Sequence, residues 1–334
     1  MPRRNIVHIL DDTAMGGVMR ALDNFSDPRL RVLGIHETAD IRKGMPRARG
    51  AGDIAVIHFT ANWRKLPMLA NIRLRGGFDR IILIEHTYTE GFERFCVSNR
   101  TRFRAMLRQA YRLVDEVVAV SHEQARWIDE ARLTPALKIE VIGQACDVQS
   151  LMDLPPVSRK EGPLMIGAFG RFHEQKGFDL LIKAMQRVSP STARLRLAGD
   201  GPQKAALMEA ASGLEHVEIC EAFTSPKAFL ESVDVVAIPS RWEAFGLVGA
   251  EARAAGRPII AADIDGLRQQ MADHGYAHRV SAVCDLRRAI EHAAADPFIQ
   301  RRGFQARAHV AGEYDQMIGG WNRVLSDKVE ALSA

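Results

Sequence analysis

A chain of 334 residues and 37.1 kDa, 47% hydrophobic and 26% charged, has room for two ordinary domains and the composition of a globular protein rather than a disordered one. Its four cysteines, Cys96, Cys146, Cys220 and Cys284, stand alone with no paired spacing, which argues against a disulfide framework or a zinc site and fits a reducing cytoplasm. The start, Met1-Pro2-Arg3-Arg4-Asn5, runs into a short strand rather than an apolar signal core, and no apolar run approaches the ~18 residues of a membrane span, so any membrane contact is expected to be peripheral.

Strand-like runs are expected at Asn5–Leu10, Leu30–Ile35, Asp53–Phe59, Ile81–Glu85, Glu116–Ser121 and Lys138–Ile142, alternating with helical stretches. The alternation breaks at Leu154-Pro155-Pro156-Val157-Ser158-Arg159-Lys160-Glu161-Gly162-Pro163, which reads as an exposed hinge. It resumes with strands at Leu164–Phe169, Arg194–Ala198, Val217–Cys220, Val233–Ile238, Pro258–Ala262 and Arg279–Val283. The expected fold class is therefore α/β: two Rossmann-like, doubly wound parallel domains facing across a cleft, with ligands beyond the carboxyl ends of the strands.

In the first half, Gly16 and Gly17 open a helix after the first strand; backbone amides there could touch a phosphate, and a plain tight turn is the competing reading. The dinucleotide pattern of three spaced glycines is absent. His58 and His86 end strands on the cleft side, where an imidazole could hydrogen-bond an acceptor or a leaving group or could be merely structural. Residues 1–150 carry 23 Lys and Arg against 18 Asp and Glu, while the whole chain has a net charge of only +4. Arg100, Arg104, Arg108 and Arg112 recur every four residues opposite an apolar face, making a basic amphipathic helix that either rests on an anionic membrane surface or faces water. No zinc, aromatic-platform or recognition-helix pattern accompanies the charge, so nucleic acid is not an expected partner.

In the second half, Gly170-Arg171 and Lys176-Gly177 lie on a loop between strand and helix. An Arg and a Lys five apart there can converge on one diphosphate, with surface salt bridging as the alternative. Gly199-Asp200-Gly201-Pro202 opens the next helix. The stretch Ser240-Arg241-Trp242-Glu243-Ala244-Phe245-Gly246-Leu247 to Glu251 follows a buried strand and opens an Ala-rich helix. Glu243 and Glu251 are eight positions apart, at most about 12 Å at ~1.5 Å rise per residue, about the span of a sugar diphosphate. Between them the backbone amides of Phe245, Gly246 and Leu247 would be the free donors of a helix N-terminus, which favours phosphate. A nucleotide-sugar, with hydroxyls at both ends and charge in the middle, is the ligand such an array suits.

With these motifs assembled, the chain resembles retaining glycosyltransferases of family 4, of the two-Rossmann GT-B class. The resemblance spans most of the chain and is strongest from Leu164 to Ile264. It implies an acceptor-binding domain over 1–155, a donor-binding domain over 163–310, and a last helix over 311–334 that packs back on the first domain. It implies that Arg171 and Lys176 bind the donor diphosphate beside Gly170. Glu243 would contact the donor sugar, Ala244, Phe245, Gly246 and Leu247 would lie along sugar and phosphate, and Glu251 would hold the ribose. Gly16 and Gly17 match the family's N-terminal glycine loop, and His86 matches a histidine near the reacting centre. The implied activity is metal-independent transfer of a hexosyl group from a UDP- or GDP-sugar, used as co-substrate without a cofactor. The acceptor would be a glycan, a lipid-linked group or a small hydroxyl compound, in cell-surface polysaccharide or glycolipid synthesis. The implied place is the cytoplasm, on or near the inner face of the plasma membrane.

The chain departs from the family's pattern at Gln144-Ala145-Cys146-Asp147 and at Asp265-Gly266-Leu267-Arg268-Gln269-Gln270, where Gln269 replaces a carboxylate. Asp263-Ile264-Asp265 spells the Asp-x-Asp of metal-dependent transferases but falls at the family's glycine turn and reads as coincidence. A sugar-nucleotide epimerase on the same scaffold and a non-catalytic nucleotide-sugar binding protein remain open at this level; a nicotinamide oxidoreductase is disfavoured by the first glycine loop.

Overall fold

In a computed structural model, the structure describes residues 4–11, 22–145, 148–155, 157, 161–220, 225–272 and 274–326. Among the described residues the chain forms twelve strands: β1 Asn5–Leu10, β2 Ile35–Asp40, β3 Ile54–Ile57, β4 Arg80–Glu85, β5 Glu116–Ala119, β6 Ile139–Val141, β7 Leu164–Phe169, β8 Ala193–Ala198, β9 Val217–Cys220, β10 Val235–Ile238, β11 Ile259–Ala262 and β12 Tyr276–His278. Two six-stranded sheets result, ordered β2-β1-β3-β4-β5-β6 and β12-β11-β10-β7-β8-β9. Every pairing is parallel. The central strands are buried end to end, as sheets covered by helices on both faces require. These are two Rossmann-like α/β units of the kind that characterises the GT-B fold.

Contacts divide the chain into one unit of residues 1–146 with 314–334 and a second of 147–313. The change comes earlier than the expected 155, because the start of the expected hinge is itself tied to the second unit, with Leu154 buried rather than exposed. Arg257 donates to the Pro155 carbonyl at 3.0 Å and Arg307 to that of Leu154 at 2.8 Å. In the first unit the helix Glu313–Leu325 packs beside the start of the chain. Trp321 meets Phe25 with ring centroids 4.9 Å apart, Arg29 pairs with Asp315 at 2.7 Å, and Arg4 donates to the Leu325 carbonyl at 2.6 Å.

Two expected strands are displaced. Residues 28–31 are helical: Asp27 caps them by accepting from the Arg29 amide, Pro28 occupies the first turn, and the strand follows at Ile35–Asp40. This edge strand is half-exposed and polar, so its sequence lacks the apolar signature. Toward the other end, Arg279–Val283 is a turn with Ser281 at φ 59°, and the strand is the shorter Tyr276–His278 before it.

Candidate functional site

In the second sheet the strand order reverses between β7 and β10, the place where open parallel sheets hold ligands. β7 is followed by Gly170, at φ +138°, and the loop then makes one tight turn at Glu174–Lys176 before the helix Phe178–Met185. Gly177 sits at φ +65°, and a Cβ there would lie 2.1 Å from the Pro239 carbonyl oxygen; only glycine lets this loop rest on the end of β10. Lys176 extends past Gly170, and its Nζ meets Glu243 Oε2 at 2.6 Å. Ser240 Oγ donates to the same oxygen at 3.2 Å. The Glu243 amide donates to Asp265 Oδ2 at 3.1 Å, and its carbonyl accepts from the Gly266 amide at 3.1 Å. Arg241 ties the two loops together: its amide donates to the Gln175 carbonyl at 2.7 Å, and its guanidinium forks onto Asp179 at 2.9 and 2.8 Å.

The helix Leu247–Ala254 starts at this rim. Gly246 is its N-cap at φ +94°, so no side chain from that position covers the first amides. The Gln270 amide donates to the Phe245 and Gly246 carbonyls, and its Oε1 accepts from Arg253 at 3.3 Å. A Cβ on Gly249 would stand 2.4 Å from that Oε1, so the helix needs glycine there to admit the glutamine. Glu251, in the second turn, is buried at 2% exposure. Ala244 is buried beside Gly266, whose own Cβ would strike the Ala244 carbonyl at 2.3 Å.

Gly170, Lys176, Glu243, Ala244, Phe245, Gly246, Leu247 and Glu251 therefore sit at the carboxyl ends of β7 and β10 or on the helix that follows. Arg171 is exposed and takes no part in the Lys176–Glu243 contact. Gly16 and Gly17 lie outside the described residues. In the 265–270 loop, Gln269 is exposed and the neighbouring Gln270 does the holding. Both aspartates of the Asp-x-Asp triplet are engaged by protein: Asp263 pairs with Arg268 at 2.8 Å, and Asp265, at φ +44°, accepts from the Glu243 amide. Sequence reading missed Gln270, Asp265 and Arg241. Asp265 and Gln270 answer to Glu243 and Gly249 across a strand, and Arg241 to Gln175 and Asp179 on another loop and helix, pairings that no local pattern displays.

In the first unit His86 follows β4 and does not stand alone. His8 Nδ1 lies 2.9 Å from His58 Nε2, His8 Nε2 lies 2.9 Å from His36 Nδ1, and His58 Nδ1 lies 3.3 Å from His86 Nε2. The row ends on Gln144 Nε2, 2.8 Å from His86 Nδ1, and on the Leu30 carbonyl, 3.3 Å from His36 Nε2. Burial pushes His8 down to about 3, with His36 adding to the fall, and His86 down to about 4; burial also drives His58 well below the ordinary imidazole range. The loop carrying His86 is set by Glu85, whose carboxylate accepts from the Thr87 amide at 3.0 Å, the Tyr88 amide at 2.9 Å and the Tyr111 hydroxyl at 2.9 Å. Gln124 adds bonds to the Glu85 and Tyr88 carbonyls at 2.9 and 2.7 Å. A cavity of about 20 Å³, enough for one water-sized group, is lined by His58, His86, Gln144, Phe25 and Trp321.

The basic helix forms over Arg100–Arg112, capped by Asn99. Two of its four regularly spaced arginines face protein: Arg104 forks onto buried Glu93 at 2.6 and 2.7 Å, and Arg108 donates to the Arg132 and Ala131 carbonyls at 2.9 and 3.0 Å. Arg100 and Arg112 are exposed. Among the described residues no helix is long and apolar enough to cross a membrane.

Residues 163–296 match the sequence profile of the family described as glycosyl transferases group 1. Over 287 residues the chain is 27% identical to the phosphatidyl-myo-inositol mannosyltransferase of Mycobacterium leprae, a match covering 82% of this chain and 72% of that one. It is 28% identical over 248 residues to the D-inositol 3-phosphate glycosyltransferase of Nocardia farcinica, covering 66% of this chain and about half, 52%, of that protein. Among solved structures, HepE of Anabaena in complex with UDP-glucose superposes with a TM-score of 0.76 at 19% identity, covering 98% of this chain and 100% of that one. Sucrose-phosphate synthase of Thermosynechococcus elongatus superposes at 0.78 with 17% identity, covering 96% and 98%. The chain has the two-unit GT-B architecture, and its second unit matches the glycosyl transferases group 1 profile where the Lys176–Glu243 contact and the Leu247–Ala254 helix lie.

Proposed function

We propose that this protein transfers a hexosyl group from a nucleoside-diphosphate sugar, UDP- or GDP-linked, to a hydroxyl acceptor with retention of anomeric configuration. One observation carries the reading: the Lys176–Glu243 pair stands where the strand order of the second sheet reverses, beside the start of a helix whose second turn buries Glu251. Lys176 and exposed Arg171 would neutralise the diphosphate, and the amides from Phe245 to Leu247 would take a phosphate oxygen at the positive end of the helix. Glu243, held by Ser240 and by the Asp265 bond to its amide, would position the sugar, and Glu251 would receive the ribose hydroxyls. Charge that develops on the leaving diphosphate meets fixed donors, which lowers the barrier without a metal or a protein nucleophile. In same-face attack the leaving phosphate oxygen takes the acceptor proton as the glycosidic bond breaks and the new one forms.

His86, in the first unit, would orient a hydroxyl of the acceptor or the sugar. The names of two relatives specify transfer to phosphatidyl-myo-inositol and to an inositol phosphate, which supports a polyol or lipid-linked acceptor and work on glycolipid or surface polysaccharide. Exposed Arg100 and Arg112 support a peripheral place on the inner face of the plasma membrane. The test is a thermal-shift panel of nucleoside diphosphates and their sugars, since a ligand that binds only the folded form raises the melting temperature. A rise for one base that disappears in Glu251→Ala is the expected result; no rise with any of them sinks the reading.

A further inference from the structure

Four of the first unit's five histidines, His8, His36, His58 and His86, lie in or just past the ends of four neighbouring strands, and their spacing is a staircase. His8 is level with Thr38 on β2 and with Val56 on β3, so His36 lies two residues below it and His58 two above. Ile57 is level with Leu83 on β4, which places His86 two residues above His58. Each imidazole thus meets the next along a sheet diagonal of about 7–8 Å between backbones, a distance two rings can bridge. The row climbs from the half-exposed sheet edge at His36 to the carboxyl end of β4.

The two ends of the row assign its protons. A carbonyl only accepts, so His36 Nε2, facing Leu30 O, carries a hydrogen. A neutral ring with Nε2–H has a bare Nδ1, which must accept from His8 Nε2–H. By the same step His8 Nδ1 accepts from His58 Nε2–H, and His58 Nδ1 accepts from His86 Nε2–H. That leaves His86 Nδ1 as an acceptor, and Gln144 meets it with its amide nitrogen, a donor. Five hydrogen bonds run head to tail from Gln144 to Leu30 with no donor facing a donor. An added proton on His8, His58 or His36 would set N–H against N–H at the next link, and the same burial that surrounds His8 and His58 opposes the charge.

We infer that His36, His8 and His58 are positioning residues that lock His86 in the Nε2–H form. Its bare Nδ1 is then the atom offered to a ligand, and the ligand group it takes, in place of the Gln144 amide, is a hydroxyl that donates. A phosphate or carboxylate oxygen has nothing to receive from it. The lock itself is independent of the enzymatic assignment; only the use of the hydroxyl in sugar transfer rests on the glycosyltransferase reading.

The full-length chain labelled with ¹⁵N gives the protonation of every ring nitrogen by long-range proton–nitrogen correlation, with rings assigned by single His→Gln variants. At neutral pH all four rings should be neutral with Nε2–H and unprotonated Nδ1. An Nδ1–H form or a cationic ring at His86 overturns the proposal. His36→Phe removes the Leu30 anchor and should move the His86 nitrogens toward values averaged between the two tautomers. His36→Gln, whose amide both donates and accepts, should keep the wild-type pattern. A His86 signature identical in wild type and a folded His36→Phe shows that the row merely packs and ends the proposal; should His36→Phe fail to fold, the wild-type and His36→Gln patterns decide. Millimolar inorganic phosphate should leave the His86 nitrogens unchanged, and conversion to Nδ1–H or to the cation refutes the acceptor assignment. In a transfer assay, His36→Phe should lose about tenfold in kcat/KM, with His36→Gln restoring most of it. An inactive wild type whose rings keep the predicted tautomers defeats the transferase reading alone.

Discussion

Single side chains in the second unit separate binding from folding. Lys176, its side chain 20% exposed, is the cation of a carboxylate itself only 12% exposed, so Lys176→Ala should lower the melting temperature by a few degrees while turnover falls by about 10²–10³-fold, the loss typical of removing one donor to a developing anion. Steady-state rates and a melting curve on the same preparation check both halves, and wild-type turnover in that variant removes Lys176 from the chemistry. Gly177→Ala should act mainly on the fold. Its φ of +65° and the 2.1 Å approach of a Cβ to Pro239 O force the loop off the end of β10, at a cost of about 2 kcal/mol or more by denaturant midpoint. Lys176, Glu243 and Gly177 were legible from the chain because charge and glycine stand out on a loop between an apolar run and a helix. Gln270 and Asp265 were not, because their partners, the Phe245 and Gly246 carbonyls and the Glu243 amide, are set by how two loops fold against each other. The histidine staircase was hidden for the same reason: His58 and His86 were visible one at a time, but the two-residue offset belongs to the strand register.

Helices and strands were read with uneven success, and the reason is burial. β1 and β7 form over the residues anticipated from their apolar runs, whereas the polar edge strand Ile35–Asp40 was displaced by the Asp27-Pro28 helix start. The Arg100–Arg112 helix was legible in extent, yet its charge pattern overstated the surface it offers. Arg104 neutralises Glu93, whose side chain is 4% exposed; Arg104→Leu should cost about 3 kcal/mol by leaving that carboxylate buried without its partner. Arg100 and Arg112 remain outward. If the helix rests on anionic lipid, Arg100→Glu with Arg112→Glu should cut sedimentation with phosphatidylserine vesicles by more than tenfold, since each basic residue near the surface contributes about 1 kcal/mol. Equal binding by wild type and the double variant assigns the helix to solvent.

Over the whole molecule, the buried imidazoles set the response to acid. Unfolded, each takes a proton near pH 6.5; folded, His86 does so only at about 4 and His8 at about 3. The unfolded state therefore binds more protons throughout that interval, and stability should fall as pH drops from 6.5 toward 4, by up to about 1.4 kcal/mol per pH unit for each such ring. Urea midpoints measured across that range test this, and a midpoint flat between pH 6.5 and 5 contradicts it. The order of residues within the first unit sets a second constraint, on biosynthesis. Phe25 and Ile142 are covered by Trp321 and Gly320, which leave the ribosome only after the entire second unit, residues 147–313, has been made. At about 5–20 residues per second the nascent first unit waits on the order of ten seconds or more with that apolar face uncovered, while the second unit has all of its own residues before the last helix emerges. Premature termination near residue 313 should thus yield a folded second unit attached to an aggregation-prone first one, and a chaperone that recognises exposed apolar chain should be found on the first half of nascent chains paused at that point.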